Sequence, residues 1–221
     1  MDEHDDTPAP AEAPDRPRRF EILERRRVHD GFFALDLLRL RHERFDGGWS
    51  PELKRELFVQ PQAVVVLPYD AAQDRVVLVE QFRTGAVEHP GGPWLIEAPA
   101  GIVDKPGETL EEVARRELRE ECGLLAGRLE RVVAYVPSHG GTSEVATAFV
   151  AEGSAPAAGA VHGEADEHED ILNHVVPAET AFAWLRDGRI RAVTAVVPLL
   201  YLQLHRERLR REWRSVAPEA T

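Results

Sequence analysis

The sequence predicts an α+β chain or an α/β sandwich built on a mixed sheet. Two observations point there. Valine-rich runs and amphipathic helical stretches both occur, and they mix without the regular βαβ alternation of an all-parallel sheet. Within that mixture, Thr109 to Cys122 carries a full set of helix start and stop signals.

Taken in order, residues 1–19 hold six acids, three arginines and four prolines and offer almost nothing to bury, so they predict a disordered tail. The character changes at Phe20. Phe32 to Phe45 partly alternates, as a half-buried strand does, and Asp46-Gly47-Gly48 ends it as a turn. Leu53 to Phe58 reads as a second strand or short extension. Ala63–Tyr69 and Arg75–Phe82, with their VVVL and VVLVE runs, read as strands buried on both faces, joined by a turn at Asp70 to Asp74. Gly85 to Pro93 is a loop, and Trp94 to Glu97 a short strand. After the helix, strands are predicted at Arg128–Val136, Glu144–Glu152 and Ile171–Val176. Helices near Ala178–Asp187 and Val193–Trp213 close the chain.

The chain has 221 residues, with 27 Lys and Arg against 39 Asp and Glu, a formal charge of −12. That acidity argues against a nucleic-acid or anionic-membrane surface, which needs a basic face. No apolar run approaches the ~20 residues of a membrane span. The N-terminus has neither the basic nor the apolar region of a signal peptide. One cysteine excludes an intrachain disulfide or a cysteine-rich zinc site. Together these predict a cytoplasmic protein.

The helix is where chemistry enters. Thr109 followed by Glu112 is a capping box, and Gly123 is a C-terminal stop. At about 100° per residue, with Leu110 at zero, Val113, Ala114 and Leu118 define the inward face. Glu117 falls at about 340° and Glu121 at about 20°, on that same face, while Glu120 lies at its edge at about 280°. Like charges four apart repel, and partial burial makes that worse. A cation must compensate, and a cluster of hard oxygen donors suits Mg²⁺ or Mn²⁺. A solvated acidic helix is the plain alternative, and geometry alone leaves both open.

The segment Glu108-x7-Arg116-Glu117-Leu118-x-Glu120-Glu121-x-Gly123-Leu124 resembles the Nudix box, in which a glycine precedes the first glutamate by five intervening residues. Here six residues separate Gly101 from Glu108. The insertion falls in the loop before the helix and puts the loop path, not the helix face, in question. The wider chain is similar to the bacterial ADP-ribose pyrophosphatase subfamily, through GFFALDLLRLRHERF, KRELF, VVLVEQFR, WLIEAPAG, SHGGTSE, HGEADEHEDI and LQLHRERLRREW.

That resemblance implies a Nudix fold, an α/β/α sandwich with a mixed sheet, preceded by a small N-terminal antiparallel β domain. The organisation it implies is a tail at 1–19, a dimerisation β domain at 20–60, a hydrolase domain at 61–214 and a C-terminal tail at 215–221. The implied reaction is hydrolysis of ADP-ribose to AMP and ribose 5-phosphate, with two or three Mg²⁺ ions per site, or Mn²⁺. Metal ligands would be Glu117, Glu120, Glu121, Glu169 and the Ala100 carbonyl, and Glu167 the catalytic base. Substrate-binding residues would be Phe32, Arg55 and Arg83, with Glu97 beside them; a strand-end salt bridge is the alternative for Glu97. Arg55 would come from the other subunit of a homodimer with exchanged N-terminal domains. Two other readings stay open: cleavage of another nucleotide sugar such as GDP-mannose, and a non-catalytic nucleotide-sugar sensor.

Overall fold

Cross-strand charge pairing builds the first of two units. The computed structural model describes residues 19–154, 159–163 and 169–214, and these divide between Gln60 and Pro61. The N-terminal unit is an antiparallel meander of β1 (Phe20–Asp30), β2 (Ala34–His42) and β3 (Leu53–Val59). Strand β1 is absent from the sequence-based prediction, because its ERRR core shows no apolar alternation. Its charges are matched across the sheet instead. Arg25 and Arg27 each donate from Nε to the buried Asp36 carboxylate, at 2.6 and 2.5 Å. Arg39 joins Glu24 and Glu52, and Arg41 joins Glu21. The Arg27 hydrogen bond holds the Asp36 carboxyl below its usual range, although burial opposes it. Arg19, the last residue of the expected tail, pairs with Glu43; residues 1–18 and 215–221 lie outside the described residues.

The second unit is an eight-stranded mixed sheet with helices on both faces. Its order is β10 (Val161–His162), β11 (Ile171–Pro177), β5 (Arg75–Phe82), β4 (Ala63–Asp70), β9 (Ala146–Glu152) and β8 (Leu129–Tyr135). Among the described residues only β4 and β9 run parallel. The continuous valine run of β4 follows from burial on both sides. Val65, Leu67 and Tyr69 face α2 (Ala178–Arg186) and α3 (Val193–Arg214), packing with Phe182, Leu199, Leu202 and Trp213. Val64 and Val66 face α1 (Leu110–Cys122), packing with Val113, Ala114 and Leu118. Burying one such aliphatic side chain contributes about 1.5–3 kcal/mol.

The sheet splits where the site forms. β4 pairs with β5 only at Tyr69–Val76 and Asp70–Arg75. Beyond that point β6 (Trp94–Glu97) takes the free edge of β5, and β7 (Ala100–Ile102) takes that of β4. The segment 94–102 therefore crosses the opening and carries Glu97, Ala100 and Gly101 into it. Strands β7 and β10 are too short to show a periodicity, and the sequence reading assigns neither.

A polar clasp secures α3 on the opposite face. Asp74, in the β4–β5 turn with φ of 59°, accepts the Tyr69 hydroxyl at 2.7 Å and Arg206 Nε at 2.9 Å, and pairs with Arg210 at 3.2 Å. A left-handed backbone is uncommon outside glycine, and Asp tolerates it better than most residues. No helix among the described residues is long and apolar enough to cross a membrane.

Candidate active site

Helix α1 starts and stops where its sequence dictates. The Thr109 hydroxyl accepts the Glu112 N–H at 3.2 Å, and the Glu112 carboxylate accepts the Thr109 N–H at 2.8 Å, a closed capping box. A cap of this kind contributes about 1 kcal/mol. Gly123 at φ 63° ends the helix, and the Leu124 N–H reaches back to the Leu118 carbonyl at 2.9 Å. The segment between Gly101 and Glu108 closes in a turn at 105–107, where Gly107 has φ of 86°. The cap and the helix face are left undisturbed.

The apolar stripe of α1 packs on β4, β5 and β9, and the same stripe carries two carboxylates. Glu117 is 6% exposed and Glu121 is 3% exposed. β7 makes room for both. A Cβ at position 101 would overlap the Glu117 carboxylate as it is placed here, so the glycine admits that carboxylate by space rather than by backbone angle. One residue earlier, the Ala100 N–H donates to Glu121 Oε2 at 3.2 Å.

Positive charge is unevenly shared among these acids. Arg116 Nη1 donates to Glu117 Oε1 at 2.6 Å and to Glu120 Oε2 at 3.1 Å, and the same guanidinium pairs with Glu108 at 3.4 Å and Asp104 at 3.5 Å. One cation therefore serves four carboxylates. Glu121 forms no ion pair among the described residues. Burial above all, then the charge of Glu117, pushes its carboxyl well above the usual range; Glu169 adds to the push, while Arg83 and the Ala100 N–H oppose it. Glu169 is thus within electrostatic reach of Glu121. Its backbone passes tightly against Gly163, which has φ of 119°.

On the far side of the opening, Arg83 Nε donates to Glu97 Oε2 at 2.5 Å, and the Thr194 hydroxyl donates to Glu97 Oε1 at 3.0 Å. Tyr135 and Glu144 stand nearby. Burial raises the Glu144 carboxyl, and burial together with the charges of Glu144 and Glu97 pushes the Tyr135 hydroxyl up to about 12.

Of the residues singled out in the sequence, Arg83, Glu97, Ala100, Glu117, Glu120, Glu121 and Glu169 belong to this constellation. Phe32 and Arg55 lie in the N-terminal unit. Phe32 is 87% exposed with its ring edge-on to Phe33 at 4.7 Å, and Arg55 donates to the Lys54 carbonyl at 2.8 Å. Glu167 lies outside the described residues. The sequence reading singled out neither Thr194, Tyr135 nor Glu144. Glu144 stood inside a quoted loop motif, whereas Thr194 carried no signal at all.

The donor chemistry fits a hard divalent cation. The site concentrates carboxylate oxygens in the core, gives Glu121 no ion pair among the described residues, and keeps a side-chain-free position at Gly101 beside Glu117. The described residues supply paired carboxylates rather than a closed cage: no three of their His, Cys, Asp or Glu side chains converge on one point.

The chain is similar to known proteins along most of its described length. The NUDIX domain model matches residues 59–195. The chain is 45% identical over 193 residues to the ADP-ribose pyrophosphatase of Escherichia coli strain K12, covering 87% of this chain and 92% of that one. It is 40% identical over 197 residues to the ADP-ribose pyrophosphatase of Haemophilus influenzae, covering 88% and 90%. It is 31% identical over 189 residues to a GDP-mannose pyrophosphatase of an Enterobacter species, covering 84% and 96%. A solved structure described as an ADP compounds hydrolase matches the fold with a TM-score of 0.66, at 22% identity, over 90% of this chain and 99% of that one.

The Glu121 environment has a measurable consequence. Its folded-state carboxyl binds a proton more readily than in the unfolded chain, so without metal its contribution to stability is intact below the ordinary carboxylate range. That contribution is lost as pH rises through the raised folded-state value. Glu121→Gln should remove this loss. In EDTA at pH 8 its Tm should equal or exceed that of the parent, with the gap closing toward pH 4. A Tm clearly below the parent at pH 8 would make Glu121 a structural ion-pair member instead.

Proposed function

Because this chain belongs to the NUDIX family, and so is a hydrolase, we propose that it cleaves the diphosphate of ADP-ribose, with Mg²⁺ or Mn²⁺ as its required ion. The observation that carries the reading is the pair of buried, core-facing glutamates, Glu117 and Glu121, four residues apart on α1 beside Gly101 and Ala100. The substrate assignment is supported by relatives named for ADP-ribose at 45% and 40% identity, against 31% for one named for GDP-mannose.

In the reaction, water's oxygen bonds to one phosphorus, the bridging P–O bond breaks, and AMP and ribose 5-phosphate leave. Glu117, Glu120, Glu121, Glu169 and the Ala100 carbonyl would hold two or three divalent ions. When bound, such ions neutralise diphosphate charge and acidify a coordinated water. Arg83 grips a phosphate oxygen with the amino groups that Glu97 leaves unused. Glu167 accepts the proton from the attacking water. Arg116 keeps the carboxylates of α1 from splaying apart under their own repulsion. Phe32 stacks on the adenine, and Arg55 reaches the substrate from the other subunit of a homodimer with exchanged N-terminal units. The exposed apolar residues Phe20, Ile22, Leu23 and Val28 on the edge strand β1 support that assembly, since a unit this small buries little on its own.

The decisive experiment is a substrate panel. Phosphate released by added phosphatase is measured from ADP-ribose, GDP-mannose and NADH, with Mg²⁺ and with EDTA. ADP-ribose should give the highest kcat/KM by at least tenfold, and EDTA should abolish turnover. A preference for GDP-mannose would reassign the base, and equal turnover in EDTA would end the metal reading.

Glu167→Gln should lower kcat by roughly 10²–10⁴-fold with KM nearly unchanged, because a base touches water rather than the nucleotide. Near-parental rates in a variant lacking Glu164, Glu167 and Glu169 together would remove the base from this loop.

Light scattering at micromolar concentration should return twice the chain mass of 24.7 kDa. A single-chain mass would defeat both the dimer and the role of Arg55 across it.

A further inference from the structure

A polar chain runs from the opening in the sheet to the first turn of α3. Glu97 ends β6 almost fully buried, and a carboxylate in that position needs partners for both oxygens. Oε2 takes the Arg83 Nε–H and Oε1 takes the Thr194 hydroxyl. Thr194 is the second residue of α3. Just before it, Arg191 Nη2 donates to the Gly91 carbonyl at 2.6 Å and to the Gly92 carbonyl at 3.1 Å, in the loop that joins β5 to β6. A Cβ at Gly91 would collide with that guanidinium. The end of the α2–α3 connection and the first turn of α3 therefore grip the β5–β6 hairpin twice, once by loop backbone and once by the Glu97 carboxylate.

The geometry of Arg83 gives that grip a chemical purpose. Its Nε is committed to Glu97, while its terminal amino groups make no hydrogen bond among the described residues and its side chain is 39% exposed. A guanidinium held through Nε has its plane fixed, and it offers a defined edge of N–H donors to an anion.

We propose that Thr194 is a positioning residue for phosphate recognition: its hydroxyl fixes the Glu97 carboxylate, which fixes the plane of Arg83, while Arg191 holds the hairpin that carries both. The inference rests on the assignment of Arg83 to the substrate diphosphate made above. A merely structural hydroxyl would affect stability and leave the kinetic constants alone. A positioning hydroxyl affects KM and is replaceable by another hydroxyl.

The test is steady-state kinetics of the full chain with Mg²⁺, on whichever diphosphate the panel ranks first. Thr194→Val keeps the shape and deletes the donor. It should raise KM about three- to tenfold with kcat within about twofold, the scale of one hydrogen bond of ordinary net strength lost behind the residue that touches the substrate. Thr194→Ser should restore the parental KM. Thr194→Ala is measured beside them, should give the same KM rise as Thr194→Val, and stands in if the valine variant fails to fold. Parental KM in both the valine and alanine variants, or a serine variant as impaired as they are, would overturn the inference. Arg83→Ala separates the two levels. An unchanged KM there would overturn the phosphate-gripping role of Arg83 and this inference with it. A raised KM in Arg83→Ala beside parental kinetics in the Thr194 variants would overturn the role of Thr194 alone.

Discussion

Two carboxylates on the core-facing stripe of one helix set the terms for the rest of the catalytic unit. Glu117 and Glu121 sit four residues apart on α1, both buried, where the helix C-terminus already disfavours negative charge. Left uncompensated, that arrangement would be costly. The structure compensates it only in part. Arg116 spreads one positive charge over Asp104, Glu108, Glu117 and Glu120, and the Ala100 N–H adds one hydrogen bond to Glu121. The remaining shortfall falls on Glu121, whose carboxyl burial above all, and then the charge of Glu117, hold well above the usual range.

The architecture around α1 follows from the same constraint. The carboxylates need a surface without side chains, and the parting of β4 from β5 supplies it by admitting β7, with Gly101 against Glu117. The helix cannot rotate those acids out to solvent, because Val113, Ala114, Leu118 and Cys122 are locked against the valines of β4 and β5. Its ends cannot fray easily, because the capping box and Gly123 satisfy the terminal backbone groups. The opposite face of the sheet, clasped to α3 through Asp74 and Arg206, makes the platform rigid. Local packing thus holds in place a charge distribution that electrostatics by itself would disperse.

Strength of local signal decided what could be read in advance. The valine runs of β4 and β5 and the periodicity of α1 are strong and local, and their places in the structure follow from them. β1 is the instructive miss. Its ERRR stretch looks like a solvated segment, and it becomes a strand because Asp36, Arg39 and Arg41 of β2 present complementary charges at the right register. No window confined to residues 20–30 contains that information.

The sequence by itself determined the helix, its caps, the inward angle of Glu117 and Glu121, and the family to which their spacing belongs, because each depends on residues within a few turns of one another. The tertiary structure alone decided which cation reaches which acid, that the Glu117 carboxylate lies over Gly101, and that Glu97 is shared between Arg83 and Thr194. The last contact joins residues 97 positions apart in the chain. Such contacts depend on how strands part and helices dock, and those are properties of the whole packed sheet rather than of any segment in it.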